Sequence, residues 1–272
     1  MPGFSTYDQI INALTTGKGQ LIFFQKASIT SVAAFWYRLW AGAGFPGAGS
    51  EPSPALQGAV PTKNTDGALP INNPISPATL HILTFGAGGP ALGSLMIYDR
   101  IWHVGGINLN VNTLQSFTGI LAPTRHSNGI GNLLLIEITT VSGSTTTTIT
   151  VKYTNTDDVA DRSATVILPA AAQPINRCWF LGLQSGDKGV KSVQSIQLSA
   201  VTGAAGVANL VMFNSAEIAV VPWAASQWTE RDLVLQMANL PSVSDGACLA
   251  LMVLASATST NVITGRLQLA EN

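Results

Sequence analysis

Residues 132–155 read NLLLIEITTVSGSTTTTITVKYTN, and the class of fold turns on how this stretch is read. Leu134, Ile136 and Ile138 alternate with Leu135, Glu137 and Thr139, and Ile149, Val151 and Tyr153 alternate with Thr150 and Lys152. A period of two marks a strand with one face in and one face out. The SGS between the runs supplies turn chemistry, so the stretch predicts a β-hairpin with threonine on the outward face of its second strand. Threonine is β-branched and suits a pleated strand, and its hydroxyl needs no counter-ion. An unpaired charge is costly to bury, so a neutral face of Thr146, Thr148 and Thr150 is expected to lie against another protein chain.

The same reading extends outward. Ile107, Leu109 and Val111 alternate with Asn108 and Asn110, and SATVILP, CWFLGL, SIQLSAV, ANLVMF, CLALMVLA and VITGRLQLA follow, separated by GDKG, VTGAAG and SDGA. WTERDLVLQM reads equally as a helix capped by Thr229 or as a strand. Many short strands at this spacing predict an all-β fold, an antiparallel jelly-roll-like β-sandwich over residues 79–272. Residues 1–45 differ. In STYDQIINALTTGKG, Ser5 or Thr6 can cap a short helix, Ile10, Ile11 and Leu14 have helical spacing, and Gly17 ends it. The rest of that segment, LIFFQKAS and VAAFWYRLWAGAG, reads as strands or as an extended arm, and its periodicity does not decide between them. Residues 46–78 hold seven of the fourteen prolines, which excludes a helix or a central strand and predicts a linker or surface-hugging arm. In an assembly, such a segment is expected to order against a neighbour.

Composition narrows the function. A chain of 272 residues can bury a large core, yet only 10% of it is charged, against about 25% in an ordinary soluble domain. No uncharged apolar run reaches the ~18 residues of a spanning helix: Arg38 interrupts SITSVAAFWYRLWAGAG, and CLALMVLASA is short. MPGFSTYDQ has neither a basic start nor an apolar signal core, so the chain is expected to be made and kept in a cytoplasm, away from membrane. The low charge is then explained by surface lying against other protein chains. The net charge of −1, with no Lys/Arg cluster, argues against nucleic acid. Cys178 and Cys248 sit in apolar runs, as buried core residues do, though a single bridge between them is compatible with the sequence.

Candidate chemistry is sparse, and no cofactor is expected. AGAGFPGAG contains Gly42, Gly44 and Gly47 as a literal GxGxxG, and TFGAGGPALGS contains Gly86, Gly88 and Ala91 in the looser form. Neither is followed by the helix that phosphate binding needs, so both read as turns. His81, His103 and His126 are far apart, without zinc spacing. His103, close to Asp99 and Arg100, reads as part of a polar cluster at a strand end. Asp157, Asp158 and Asp161 are the densest carboxylates and form a weak calcium candidate that lacks the full loop pattern. Phe35, Trp36, Tyr37 and Trp40, with one arginine among them, have the content of an interface core, or equally of a plain core segment. No nucleophile motif accompanies any of these residues, and the expectation is a protein that is not an enzyme.

Three stretches, TITVKYTNTDDVADRSATVILPA, GDKGVKSVQSIQLSAVTGAAG and DGACLALMVLASATSTNVITGRLQLAEN, with SLMIYDRIWHVGGI upstream, resemble virion structural proteins of tailed bacteriophages over about residues 94–272. The resemblance implies a head decoration or cement protein on the major capsid protein lattice, as a homotrimer on the capsid surface. It carries no functional residues with it. A tail, collar or fibre component, or a carbohydrate-binding β-sandwich for host recognition, are the other readings.

Overall fold

The structure, a computed structural model, describes residues 4–235 and 240–272. One helix, α1 (Tyr7–Thr15), opens the chain, with Thr6 as its cap accepting from the Gln9 amide. Strands follow as β1 (Gly19–Lys26), β2 (Trp36–Arg38), β3 (Gly44–Phe45), β4 (Gln57–Gly58), β5 (Leu80–Gly89) and β6 (Gly93–Asn108). Then come β7 (Gln115–Ser116), β8 (Thr118–Gly119), β9 (Asn132–Thr140), β10 (Thr147–Asn155), β11 (Arg162–Leu168) and β12 (Cys178–Phe180). The last are β13 (Val190–Leu198), β14 (Val207–Trp223), β15 (Gln227–Asp232), β16 (Ser242–Val243), β17 (Leu249–Ala255) and β18 (Ile263–Glu271). The fold is all-β and antiparallel apart from the short β4–β8 contact, as a jelly-roll-like sandwich requires. WTERDLVLQM begins as β15, and its last two residues, 236 and 237, lie outside the described residues.

A central sheet runs β12-β9-β14-β6-β17-β2, and its two long strands, β6 and β14, pass through the whole molecule. Two further sheets face the same side of it. The first, β15-β5-β18-β1-β3, encloses a core of residues such as Phe85, Leu95, Ile97, Val221, Leu251 and Leu267. The second, β11-β10-β13-β7, encloses Ile101, Ile136, Ile149, Val151, Ile196 and Leu210.

The predicted hairpin is not formed. β9 pairs with β12 and β14, and β10 pairs with β11 and β13, so the two strands belong to facing sheets and meet through side chains across the second core. Alternation fixes which face of a strand is buried and says nothing about which edge pairs with which. The reading of β9 as one face in, one face out also fails, since Leu135 and Glu137 are as buried as Ile136. The far face of the central sheet has its own core, with Trp40, Met96, Tyr98, Leu135, Val211, Phe213 and Met252.

The proline-rich segment lies on its own chain as a strap: Gly49 and Ala68 pack with Trp40 on that face, while Leu69 and Ile71 enter the first core and Leu56 and Val60 pack on the second. The Leu56 amide donates to the Gly105 carbonyl, Ala59 and His103 bond each other's backbones in both directions, and the Leu69 amide reaches the Leu249 carbonyl. The expected arm is woven in as well: β1 pairs with β18 over its full length. The divisions at 45 and 78 are therefore not boundaries of packing. On α1, Ile10 and Ala13 are the buried residues, while Ile11 and Leu14 face outward.

Candidate functional site

The aromatic run is turned inward. Tyr37 and Trp40 are buried, and Phe35 and Trp36 are half-buried against Trp179 and Phe180 of β12 and the Arg177 that precedes it. The Arg177 guanidinium lies 3.8 Å from the centre of the Phe35 ring and donates to the Tyr37 hydroxyl. An exposed interface role for Tyr37 and Trp40 is thus corrected: their side chains are filled space inside the chain.

The literal GxGxxG does the reverse of what a phosphate loop does. It points carbonyls inward, and Gly42, Pro46 and Gly47 accept hydrogen bonds from the buried Lys26 ammonium at 3.1, 2.8 and 3.3 Å. Burial lowers the Lys26 pKa to about 8. Of the looser glycine pattern, Gly86 and Gly88 lie in β5, and only Ala91 falls in the bend before β6. An added Cβ at Gly86 would lie 2.8 Å from the Trp228 ring, and one at Gly88 would lie 2.6 Å from the Gln227 carbonyl.

A buried ionic network lies on the far face of the central sheet. Arg100 donates to Glu137 at 2.7 Å, Arg38 donates to Glu137 at 3.4 Å and to Glu51 of the strap at 2.7 Å, and Asn209 donates to Glu51 at 2.6 Å. Burial opposes the Glu137 charge, but Arg100 and Arg38 hold its pKa below the usual carboxylate range. The Arg100 Nε donates to His103 Nδ1 at 3.0 Å. Burial, with the Arg100 cation beside it, lowers the His103 pKa to about 3, so the ring stays neutral. His103 therefore sits in mid-strand as a hydrogen-bond acceptor, not at a strand end.

A second cluster gathers Asp99, Arg125, His126, Glu217 and Ser244. Arg125 forks onto both Asp99 oxygens at 2.7 and 2.9 Å and also reaches the Pro61 carbonyl of the strap. Glu217 accepts from the Ser244 hydroxyl at 2.6 Å and from its amide at 2.8 Å. The grouping of serine, histidine and carboxylate invites comparison with a catalytic triad, in which the acid holds one ring nitrogen and the hydroxyl faces the other. Here Glu217 and Ser244 both approach His126 Nε2, at 3.1 and 3.2 Å. The ring cannot be oriented by the carboxylate and accept the serine proton through the same nitrogen, so the cluster works as a structural knot. Burial pushes Asp99 up to about 6, against the pull of Arg125.

The aspartates of the calcium candidate are not brought together. Asp158 pairs with Lys191, the Asp157 amide caps onto Asn155, and among the described residues no group of three His, Cys, Asp or Glu side chains could hold a metal. The carboxylate that organises this end is Asp187, which takes Arg162, Tyr153 and Asn155. Cys178 and Cys248 are free and buried, and burial raises both thiols. His81 is buried against the Phe4 ring.

Among the described residues, two sheet faces are open to contact. Thr148 and Thr150 are half-buried on β10, and Thr146, just before that strand, is exposed. That strand lies inside its sheet rather than at an edge, with Thr165, Ile167 and Gln197 as its cross-strand neighbours. The face is nearly uncharged and mostly polar, with Ile167 exposed beside Thr148, and its one lysine, Lys152, is hydrogen-bonded to Ser163.

The other face, which sequence reasoning missed, is the outer side of the β15-β5-β18-β1-β3 sheet. At one end α1 covers it, with Ile10 and Ala13 packed on Leu83 and Ala270. At the other end Phe23, Phe45 and Trp228 are 60, 55 and 48% exposed. Register makes them neighbours: Phe45 opposes Gln25, Phe23 opposes Arg266, and Trp228 opposes Gly88 with its ring over Gly86. The signal in the sequence was LIFF, four successive apolar residues in a strand of which only alternate positions, Ile22 and Phe24, enter the core.

No family model and no curated protein matches the chain. Among solved structures, the VP2 subviral particle of infectious bursal disease virus is similar at 8% identity and a TM-score of 0.20, over 94% of this chain and 82% of that one. Structures of the Gt and Gx strains of that virus give 8 and 10% identity and TM-scores of 0.16 and 0.17. They cover 93% of this chain and 81 and 80% of theirs. Scores this low carry no statement about how the chain works.

Proposed function

We propose that this chain is a structural protein of a tailed-bacteriophage virion, not an enzyme, and that it acts as a head decoration protein bound to the major capsid protein lattice. The resemblance over residues 94–272 supplies the class. The observation that carries the reading is the division of the surface. The ion pairs Arg100–Glu137 and Arg125–Asp99 are spent inside the chain, while a largely apolar face and a nearly uncharged threonine face are left to the outside. Such a molecule works by covering area: it joins capsomers and, by binding only the assembled lattice, stabilises that state by mass action. Production in the host cytoplasm and a trimeric state belong to the same proposal. No helix among the described residues is long and apolar enough to cross a membrane.

The test is the position of the chain in particle images at subunit resolution, with particles lacking it heated in parallel. Density on the head, with earlier genome release in its absence, supports the reading. Density in tail, collar or fibre moves the protein to those parts, and no density removes the virion role. One observation favours a second reading, as a carbohydrate-binding β-sandwich: Phe23, Trp228, Gln25 and Arg266 line a common cleft with aromatic and polar groups side by side. A glycan array without binding dismisses it.

A further inference from the structure

We infer that the outer face of the β15-β5-β18-β1-β3 sheet, extended by the exposed side of α1, is where a second copy of this chain docks. The inference rests on the assembly reading above for its purpose, and on the following geometry for its substance. On α1, Tyr7 and Ile11 are 53 and 58% exposed and lie one turn apart on one helix face. Leu14 continues that stripe and lies against Gly19, two residues before Leu21, which is 50% exposed. Leu21, Phe23 and Gln25 share the outward side of β1, and Phe45 opposes Gln25 across the last pair of the sheet. The apolar surface is therefore one strip that runs from helix to sheet edge.

Its size and its charge point to a copy of itself. A large aromatic side chain offers about 150–250 Å². At half exposure, Tyr7, Ile11, Leu21, Phe23, Phe45 and Trp228 together leave on the order of 600 Å² bare, at the top of what free monomers tolerate and close to the ~800 Å² per partner of a standard interface. The ion pair on this face is internal: Arg266 donates to Glu230 at 2.9 Å. A distinct partner is usually selected by opposing charge, and the stretch between Phe23 and Trp228 has none to spare, the exposed Asp232 and Asp8 lying towards the helix end of the face. Two copies meeting over that stretch set a paired Arg266 and Glu230, not a bare charge, against each other.

The experiment is sedimentation velocity on the full chain across the micromolar range. Wild type is expected to associate with concentration. Phe23→Asp and Trp228→Glu are each expected to raise the dissociation constant by more than about tenfold, the cost of losing a central aromatic anchor. Circular dichroism checks that each variant is folded, and Phe45→Ser gives the same readout should either fail. Thr150→Lys, on the other sheet, is expected to leave association unchanged. A wild type that stays monomeric throughout, or association lost in Thr150→Lys and kept in Phe23→Asp, overturns the inference. Either result leaves the virion reading to the particle images, and absence from particles would in turn leave an observed self-association standing.

Discussion

Glu137 shows how far a side chain's role can lie from its local pattern. By alternation it belongs on the outward face of its strand, and it is outward from the β9–β10 core, but the strap has turned that side into an interior. There it balances Arg100 and Arg38 with no exposure of its own. A buried ion pair adds little stability over apolar packing, whereas removing one partner strands the other and costs about 3–5 kcal/mol. Glu137→Gln is therefore expected to destabilise the chain by roughly that amount in urea unfolding, and a change within ~0.5 kcal/mol, as at an ordinary surface position, would contradict the network. Asp99 gives a pH signature. Its pKa rises from 3.8 to about 6 on folding, because it is buried. Folding thus takes up a proton between those values, and stability falls as the pH rises through the window. Glu217 is held below 4.5 despite burial by His126 and Ser244, so its contribution is lost only as the pH falls further. His126 is raised above 6.5 by Glu217, and its contribution is lost as the pH climbs above that value. Asp99→Asn should flatten the pH 4–6 part of the thermal-midpoint curve relative to wild type, and an unchanged slope would place the proton elsewhere.

At the scale of elements, the strap decides most of what differs from the sequence reading. Glycine and proline excluded helix and central strand from residues 46–78, and the structure agrees. What composition could not say is that the segment finds its partner within the chain, through Glu51 on Arg38 and Asn209 and through Gly49 under the Trp40 ring. An added Cβ at Gly49 would come within 2.2 Å of that ring. Gly49→Ala is expected to push the strap off its seat at a cost of about 1–3 kcal/mol and to open residues 46–68 to protease, while the wild-type strap in the isolated chain resists. Cleavage of the wild-type strap would restore the idea that it orders only on a neighbour. The strands themselves were legible wherever one side faced the core, as in β10, β11 and β18, because period two reports burial. Pairing was not legible: β9 and β10 are consecutive and patterned like a hairpin, yet β9 pairs with β12 and β14, and β10 turns instead to β11, the next strand, and to β13. The candidate sites were misread for the same reason. The buried charges pair across separations that no local spacing encodes, such as Arg38 with Glu137 and Asp99 with Arg125.

For the molecule as a whole, the decisive feature is that two cores share their longest strands. β6 contributes Leu95 and Ile97 to the first core and Ile101 and Val104 to the second, and β14 contributes Val221 to the first and Leu210 to the second. Two sheets hinged by a loop could melt separately. Two sheets laid on one continuous pair of strands cannot, because unfolding one half leaves half of β6 and β14 with bare backbone donors and acceptors and an uncovered apolar face. The knot of Asp99, Arg125, His126, Glu217 and Ser244 tightens this coupling. It lies on β6 and at the irregular stretch of β14 between Phe213 and Ile218, where residues of the first core give way to residues of the second. Leu210→Ala, at a site with no exposure in the second core, should cost about 2–5 kcal/mol through lost burial and the cavity left behind. Calorimetry should show a single transition moved to lower temperature. Native-state hydrogen exchange should lower the global protection of β17, in the first core, by the same free energy as that of β13, in the second. Two resolved transitions, or β17 protection unmoved while β13 falls, would mean that the long strands do not transmit folding between the cores and that the molecule is two domains joined end to end.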